Sequence, residues 1–240
     1  MTEEMARQLA AWAETYNDPA YFTEDPIIFP KHFAGKGACL QDIETAAVVA
    51  AHLAWGRRAM IVRDTKRVLD EMDWKPYDYI MTGRGTAPDG SPVWRDDPVS
   101  AHRTVKWSEL AAIFARLREH YLVHDSLECL SVKQMRSSIF GQKDDPGAPD
   151  KKINMMRRWM VRRDGKVDLG GWKDSDPRGL IVPLDVHVHT QALATGLTSR
   201  HARNLTTALE ITDSFREIFP EDPCKGDFAL FGYGVTNPSR

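Results

Sequence analysis

Cysteine is scarce in this sequence: three residues in 240, Cys39, Cys129 and Cys224, far apart and odd in number. That count excludes a disulfide framework and falls short of the four thiolates an iron–sulfur cluster requires. Long hydrophobic runs are missing too. The longest, Thr45 to Gly56, is interrupted by His52 and is much shorter than a membrane span, so no membrane partner is expected. The start, Met1-Thr-Glu-Glu, is acidic where a secretory leader is basic, which points to the cytoplasm. Charge of one sign is not in surplus either. The formal net charge is −2, so any surface for a nucleic acid has to be local. Finally, no stretch alternates polar and apolar residues long enough to make a convincing strand.

What is present is an ordinary globular composition, 42% hydrophobic and 28% charged, in a chain long enough for one large domain or two small lobes. Helical spacing dominates. Leu40 to Gly56 is Ala-rich and almost wholly apolar, as a central buried helix would be. Trp107, Leu110, Ala111, Phe114, Leu117 and Tyr121 recur at steps of three and four. A similar stripe runs through Leu205, Leu209, Thr212, Phe215 and Phe219, after a cap expected at Thr198-Ser199. Gly226 to Gly234 reads as a closing helix. Thr82 to Pro98 and Gly141 to Pro149 are rich in Gly and Pro and read as loops. The expected fold class is all-α.

Two segments carry chemistry, Pro146-Gly-Ala-Pro-Asp-Lys-Lys-Ile-Asn154 and Ile181-Val-Pro-Leu-Asp-Val-His-Val-His189. The first is a turn followed by a helix start, with Asp150 as the expected cap. From Lys151 to Lys166, seven residues are basic and one, Asp164, is acidic. At about 100° per residue, Lys151, Arg158 and Arg162 share an arc opposite Ile153, Met156, Trp159 and Met160. Such a stripe suits a phosphate backbone, or is merely a solvated face. In the second segment Asp185 stands where a helix N-cap belongs. His187 and His189 form Asp-x-His-x-His, a metal pattern on a strand. On the helix implied by Gln191-Ala-Leu-Ala they diverge by about 160°, so no metal is expected. The plain alternative has His187 packed internally and His189 on the surface.

The first segment resembles the PGVGRKTAN stretch of helix-hairpin-helix DNA glycosylases, with Pro146, Gly147, Lys151 and Asn154 aligned without a gap. The second resembles their VDTHV stretch at Asp185, His187 and Val188. DPIIFPKHF, HLAWGRR, INMMRRWMVRRDGKVDLGGWK, PLDVHVHTQALATGL and EDPCKGDFALFGYGV further resemble a bacterial family of conserved hypothetical proteins within that superfamily. The resemblance implies a single globular unit over 1–240 with two helical lobes and a DNA-sized cleft between them. One lobe would span 40–150 and end in the hairpin, and the other would join 1–39 to 151–240.

The resemblance also implies DNA as partner, a flipped nucleotide, and excision of a damaged or altered base without a cofactor. Lys151 would be the nucleophile, Lys152 its competitor, and Asp185 the assisting carboxylate. Gly147, Asn154, Arg57, Arg58, Arg158 and Arg162 would contact DNA. His187 and His189 would support the site, and Trp55 would be a wedge or a core residue. Three departures stand out. Pro149 replaces the hairpin's second glycine and removes an amide donor, Thr190 replaces a basic residue, and 34 positions separate Lys151 from Asp185. A non-catalytic nucleic-acid-binding module and a nucleobase-modifying enzyme are the alternatives.

Overall fold

The structure is a computed structural model that describes residues 1–237. Regular structure is helical apart from a two-stranded antiparallel hairpin (β1, Ser100–His102; β2, Val105–Lys106), so the class is all-α. The chain forms two units, 24–144 and the pairing of 1–23 with residues from 145 onward.

Helix α1 (Glu3–Tyr16) opens the chain. Thr2 caps it by accepting the Met5 N–H, with Glu3 and Glu4 in the first turn where the helix dipole favours them. The chain then enters the 24–144 unit through α2 (Ile28–Gly35), α3 (Leu40–Leu53), α4 (Arg58–Glu71) and α5 (Pro76–Thr82). Helix α2 packs on α3 and therefore belongs to this unit rather than with the N-terminal arm, where the sequence reading put 1–39. Its Phe29 and Phe33 are buried and both contact the Trp74 ring, and that packing outweighs chain proximity.

Every residue from Glu44 to Leu53 in α3 is buried, as the Ala-rich run implied. Within it lies a buried carboxylate. Glu44 accepts the Tyr121 hydroxyl (3.1 Å), the Ser126 hydroxyl (2.6 Å) and the Leu127 amide (3.0 Å). It thereby ties α3 to the end of α6 (Trp107–Tyr121) and the turn beyond. The six apolar positions read as a stripe on α6 are all buried. From Gly83 to Pro98 the chain makes isolated bridges but no helix. A short α7 (Val132–Gln134) runs on into a wider helical turn, Met135–Ile139.

The other unit resumes with α8 (Lys151–Val161), α9 (Val186–Thr195), α10 (Leu205–Arg216) and α11 (Gly226–Thr236). The cap of α10 is Asn204, which accepts the Thr207 N–H, and not Thr198-Ser199. Thr198 instead donates to Glu210 and accepts the Arg200 amide. The buried face of α10 runs Thr207, Ala208, Ile211, Thr212 and Phe215, so Leu209 faces outward. Helix α11 lies along α1. Gly232 permits that approach, since a Cβ would overlap the Tyr16 ring of α1, and Gly226 permits the start of α11 to meet α10, where a Cβ would overlap the Phe215 ring. Tyr16, Tyr21, Phe22, Phe228 and Phe231 interleave there.

Glu44→Ala should therefore destabilise the 24–144 unit by about 3 kcal/mol, because three donors are left in a dry interior. Urea unfolding of the two proteins measures this. A loss under about 1 kcal/mol would show that Glu44 does not hold the unit together.

Candidate active site

The hairpin before α8 is organised by Asp145. Its carboxylate accepts the Gly147 N–H at 2.9 Å, and its carbonyl accepts the Ala148 N–H at 3.2 Å. The Gly147 carbonyl accepts the Leu205 N–H at 2.9 Å. Pro146 and Pro149 have no N–H to offer. The backbone amides that would face a phosphate at Gly147 and Ala148 are thus already bonded. Asp150 adopts a left-handed conformation (φ 43°) and makes no side-chain cap, contrary to the expectation for it. Asn154 is buried and donates to the Pro149 carbonyl at 2.9 Å, so it pins the hairpin to the helix rather than meeting DNA.

Lys151 is the first residue of α8, and Asp185 is the N-cap of α9, accepting the Val188 N–H at 2.9 Å. The Lys151 Nζ lies 3.8 Å from Asp185 Oδ2. Both side chains are about one-third exposed, at 28% and 33%, so the pair is reachable from solvent while partly shielded. A cap uses one carboxylate oxygen (Oδ1) and leaves the other (Oδ2) for the lysine. Lys152, next in the chain, is partly buried. The histidines are reversed relative to expectation. His189 is buried, its Nε2 2.7 Å from the Arg200 carbonyl, whereas His187 is exposed. One residue of helical phase decides which of the two meets the core. Among the described residues no cluster of His, Cys, Asp and Glu has the makings of a metal site.

The basic stripe does not exist as a surface. Helix α8 stops at Val161, and Arg162 is extended. Arg158 is 6% exposed and Arg162 1% exposed, which removes both from any phosphate-tracking face. Arg158 bonds Asp227 and lies 3.3 Å from Asp168. Arg162 bonds Asp168, holds Asp222 through two nitrogens (2.9 and 2.8 Å) and meets Asp164 at 3.0 Å. Both guanidiniums also face the Phe228 ring, at 4.8 and 4.9 Å. Asn17 closes the network by donating to Asp164 at 2.6 Å.

Burial works against the charge on Arg162, but Asp222, Asp168 and Asp164 outweigh it and hold the guanidinium protonated. Burial likewise lifts the Asp168 carboxyl above its ordinary range despite its two arginines. At Asp164 burial is overcome by Arg162 and Asn17, and its carboxyl falls below the ordinary range. The sequence signal missed here was the setting of Arg158 and Arg162, four apart with Trp159, Met160 and Val161 between them.

These residues lie within a known family. The model of the family described as a protein of unknown function, DUF2400, matches residues 25–145 and 133–236. The chain belongs to that family. Neither the curated proteins nor the solved structures give a match to it. Lys151, Asp185 and the arginine cluster all fall inside the family's second matched segment, and Trp55 to Arg58 inside its first.

In the 24–144 unit Trp55, Gly56 and Arg57 lie in the bend between α3 and α4 and Arg58 is the first residue of α4, with Arg57 and Arg58 exposed. Trp55 is half-buried beneath the Arg103 guanidinium, 4.4 Å from the ring. Its carbonyl lies 2.9 Å from His102 Nε2, while His102 Nδ1 lies 2.7 Å from Asp64. Gly56 has φ +102°, and a Cβ there would meet Arg103. The bend is held rigidly from beneath while its two arginines stay in water.

Removing Arg162 takes from buried Asp168 its hydrogen-bonded partner and leaves it Arg158 alone. Arg162→Ala should cost about 3–5 kcal/mol at pH 7. With one guanidinium fewer, the buried Asp168 carboxyl has its folded pKa raised further above its unfolded one, so the folded state takes up a proton as pH falls. Between pH 7 and pH 5 the variant should therefore regain stability relative to the wild type. Urea unfolding at both pH values checks this, and an equal deficit at the two would exclude Asp168 as the charge affected.

Proposed function

We propose that this protein is a lysine-dependent DNA glycosylase with lyase activity, acting on an altered base. The observation that carries the reading is the Lys151–Asp185 pair, 3.8 Å apart across 34 positions of sequence. The order of parts supports it: helical segment 132–139, a Pro-Gly turn, a helix beginning at the lysine, and a carboxylate capping the next helix. That is the order in helix-hairpin-helix glycosylases, which the two motifs resemble.

The chemistry follows from the pair. Asp185 takes a proton from the Lys151 ammonium, freeing the amine lone pair. That pair forms a bond to the anomeric carbon of the sugar as the carbon–nitrogen bond to the base breaks. The base leaves with the bonding electrons and takes the proton that Asp185 had accepted, so Asp185 is again a carboxylate and stabilises the positive charge built on the sugar. Transfer of a proton from the attached nitrogen to the ring oxygen then opens the sugar and gives an imine on Lys151, which borohydride reduces to a stable adduct.

A second reading is favoured by the hairpin. With the Gly147 and Ala148 amides bonded to Asp145 and prolines at 146 and 149, this turn has little to offer a duplex phosphate. The same pair acting on a free nucleoside or a single strand needs no such grip. The pure binding module is weakened, since Arg158 and Arg162 are buried.

Borohydride trapping on oligonucleotides carrying abasic, 8-oxoguanine or uracil sites, single- and double-stranded, tests the proposal. The wild type should form an adduct, Lys151→Ala none, and Asp185→Asn one at a rate lower by about 10²–10⁴. Undiminished trapping by Lys151→Ala would overturn it.

A further inference from the structure

The loop between α9 and α10, residues 199–204, takes no part in the reading above, yet it is fastened to both halves of the site. The Leu205 N–H that follows it donates to the Gly147 carbonyl at 2.9 Å, four residues before Lys151. On its other side the Arg200 carbonyl lies 2.7 Å from His189 Nε2, four residues after Asp185. The Thr198 hydroxyl accepts the Arg200 N–H at 3.1 Å, and the Thr207 hydroxyl donates to the Ala202 carbonyl at 2.6 Å. His189, Thr198 and Thr207 are all buried. Three buried polar side chains thus hold the backbone of one surface loop and fix its path.

What the fixed loop presents is positive charge. No acid occurs between Asp185 and Glu210, while Arg200, His201 and Arg203 stand in the loop and are exposed. Arg200 is held by Glu210 on α10. Arg63, Arg84, Arg178 and Arg216, exposed elsewhere, also meet an acid each. Arg203 has no such partner among the described residues, and its charge is unmatched. The hairpin beside the loop has the opposite character. It carries Asp145 and Asp150, and its Gly147 and Ala148 amides are bonded within the turn. A phosphate at Gly147 would meet the Asp145 carboxylate, whereas one at Arg203 meets a guanidinium two residues from the Leu205–Gly147 bond.

Resting on the glycosylase reading, we propose that the 199–204 loop grips the DNA strand in place of the hairpin, with Arg203 on a backbone phosphate and His201 donating beside it. A guanidinium matches two phosphate oxygens with two parallel N–H groups, which orients the strand as well as attracting it. Because the loop is tied to Gly147 and to His189, a strand held by it is placed relative to Lys151 and Asp185 together. Its backbone is already ordered, so binding loses little entropy there. A phosphate contact carries no base information and is compatible with any altered base.

The test is binding of the full-length protein to fluorescein-labelled oligonucleotides carrying a tetrahydrofuran abasic analogue, single- and double-stranded, by anisotropy over a range of NaCl concentrations. Arg203→Gln should raise Kd by about 5–10-fold and reduce the slope of log K against log salt by about 0.7 on the single strand and about 0.9 on the duplex, the share of one phosphate contact. Arg203→Lys keeps the charge and should keep the wild-type slope. Arg216→Gln, the same charge change in the last turn of α10, should stay within about twofold of wild type with its slope unchanged. An unchanged slope in Arg203→Gln, an equal loss in Arg216→Gln, or no binding by the wild type overturns the proposal. Tetrahydrofuran cannot form an imine, so binding stands apart from trapping. The expected slopes with no borohydride adduct on any oligonucleotide would defeat the glycosylase reading and leave the grip, whereas trapping with an unchanged slope in Arg203→Gln would defeat the grip alone.

Discussion

The unit that carries Lys151 depends on one buried interaction, the fork of Arg162 among three carboxylates. Arg162 lies just past the end of α8, where an unpaired guanidinium in the interior would be prohibitive. It is tolerable because Asp164 and Asp168 come from the loop that follows and Asp222 from the turn before α11. Two stretches 60 residues apart, the end of α8 with its following loop and the turn at Asp222, are fixed to one point by planar, directional bonds, which apolar contact alone would not orient. Apolar packing then closes over the fork. Phe228 lies against both guanidiniums, and Leu169, Gly170 and Trp172 hydrogen-bond back to the Trp159 and Met160 carbonyls.

The consequence for the site is geometric. Helix α8 is fixed at its far end by Arg158 and Arg162 and at its near end by Asn154 on the Pro149 carbonyl. Lys151 therefore projects from a rod held at both ends. Asp185 is fixed with similar economy, since one oxygen caps α9 and the other meets the lysine. A carboxylate bound to a helix amide has few rotamers left, so little further side-chain entropy is lost at Asp185 when it meets the lysine.

Much of this was legible in the sequence. The stripe on α6 and the Ala-rich α3 are periodic and locally determined, and both formed where the spacing put them. Lys151 at a helix start and Asp185 at the next were visible as punctuation, because Pro, Gly and Asp act on the backbone beside them. The arginines were misread for the opposite reason. A helical wheel assigns charge to solvent unless a partner is known, and three of the partners, Asp168, Asp222 and Asp227, lie 6 to 69 residues from the arginine they hold. The wheel also continued past Val161, where the chain turns extended. Asn204 was overlooked as a cap because Thr198-Ser199 offered the same chemistry a few residues earlier, and only the path of the loop distinguishes them. His187 and His189 were exchanged because their two-residue spacing leaves either one able to face the core.

Burial of Arg158 and Arg162 turns charge in this protein inward. Two arginines that would have advertised a nucleic-acid surface instead neutralise carboxylates inside, and the cluster of Arg158, Arg162, Asp164, Asp168, Asp222 and Asp227 still has four acids against two bases. Burial raises the Asp168 and Asp227 carboxyls, which lessens the imbalance without removing its source. Lys151 stands on the same face of α8 two turns before Arg158, and the carboxylate it meets comes from outside the buried cluster: Asp185, held in place by the α9 amide. The charges that fix the helix and the charge pair at its start are thus separate sets of residues joined by one rigid element.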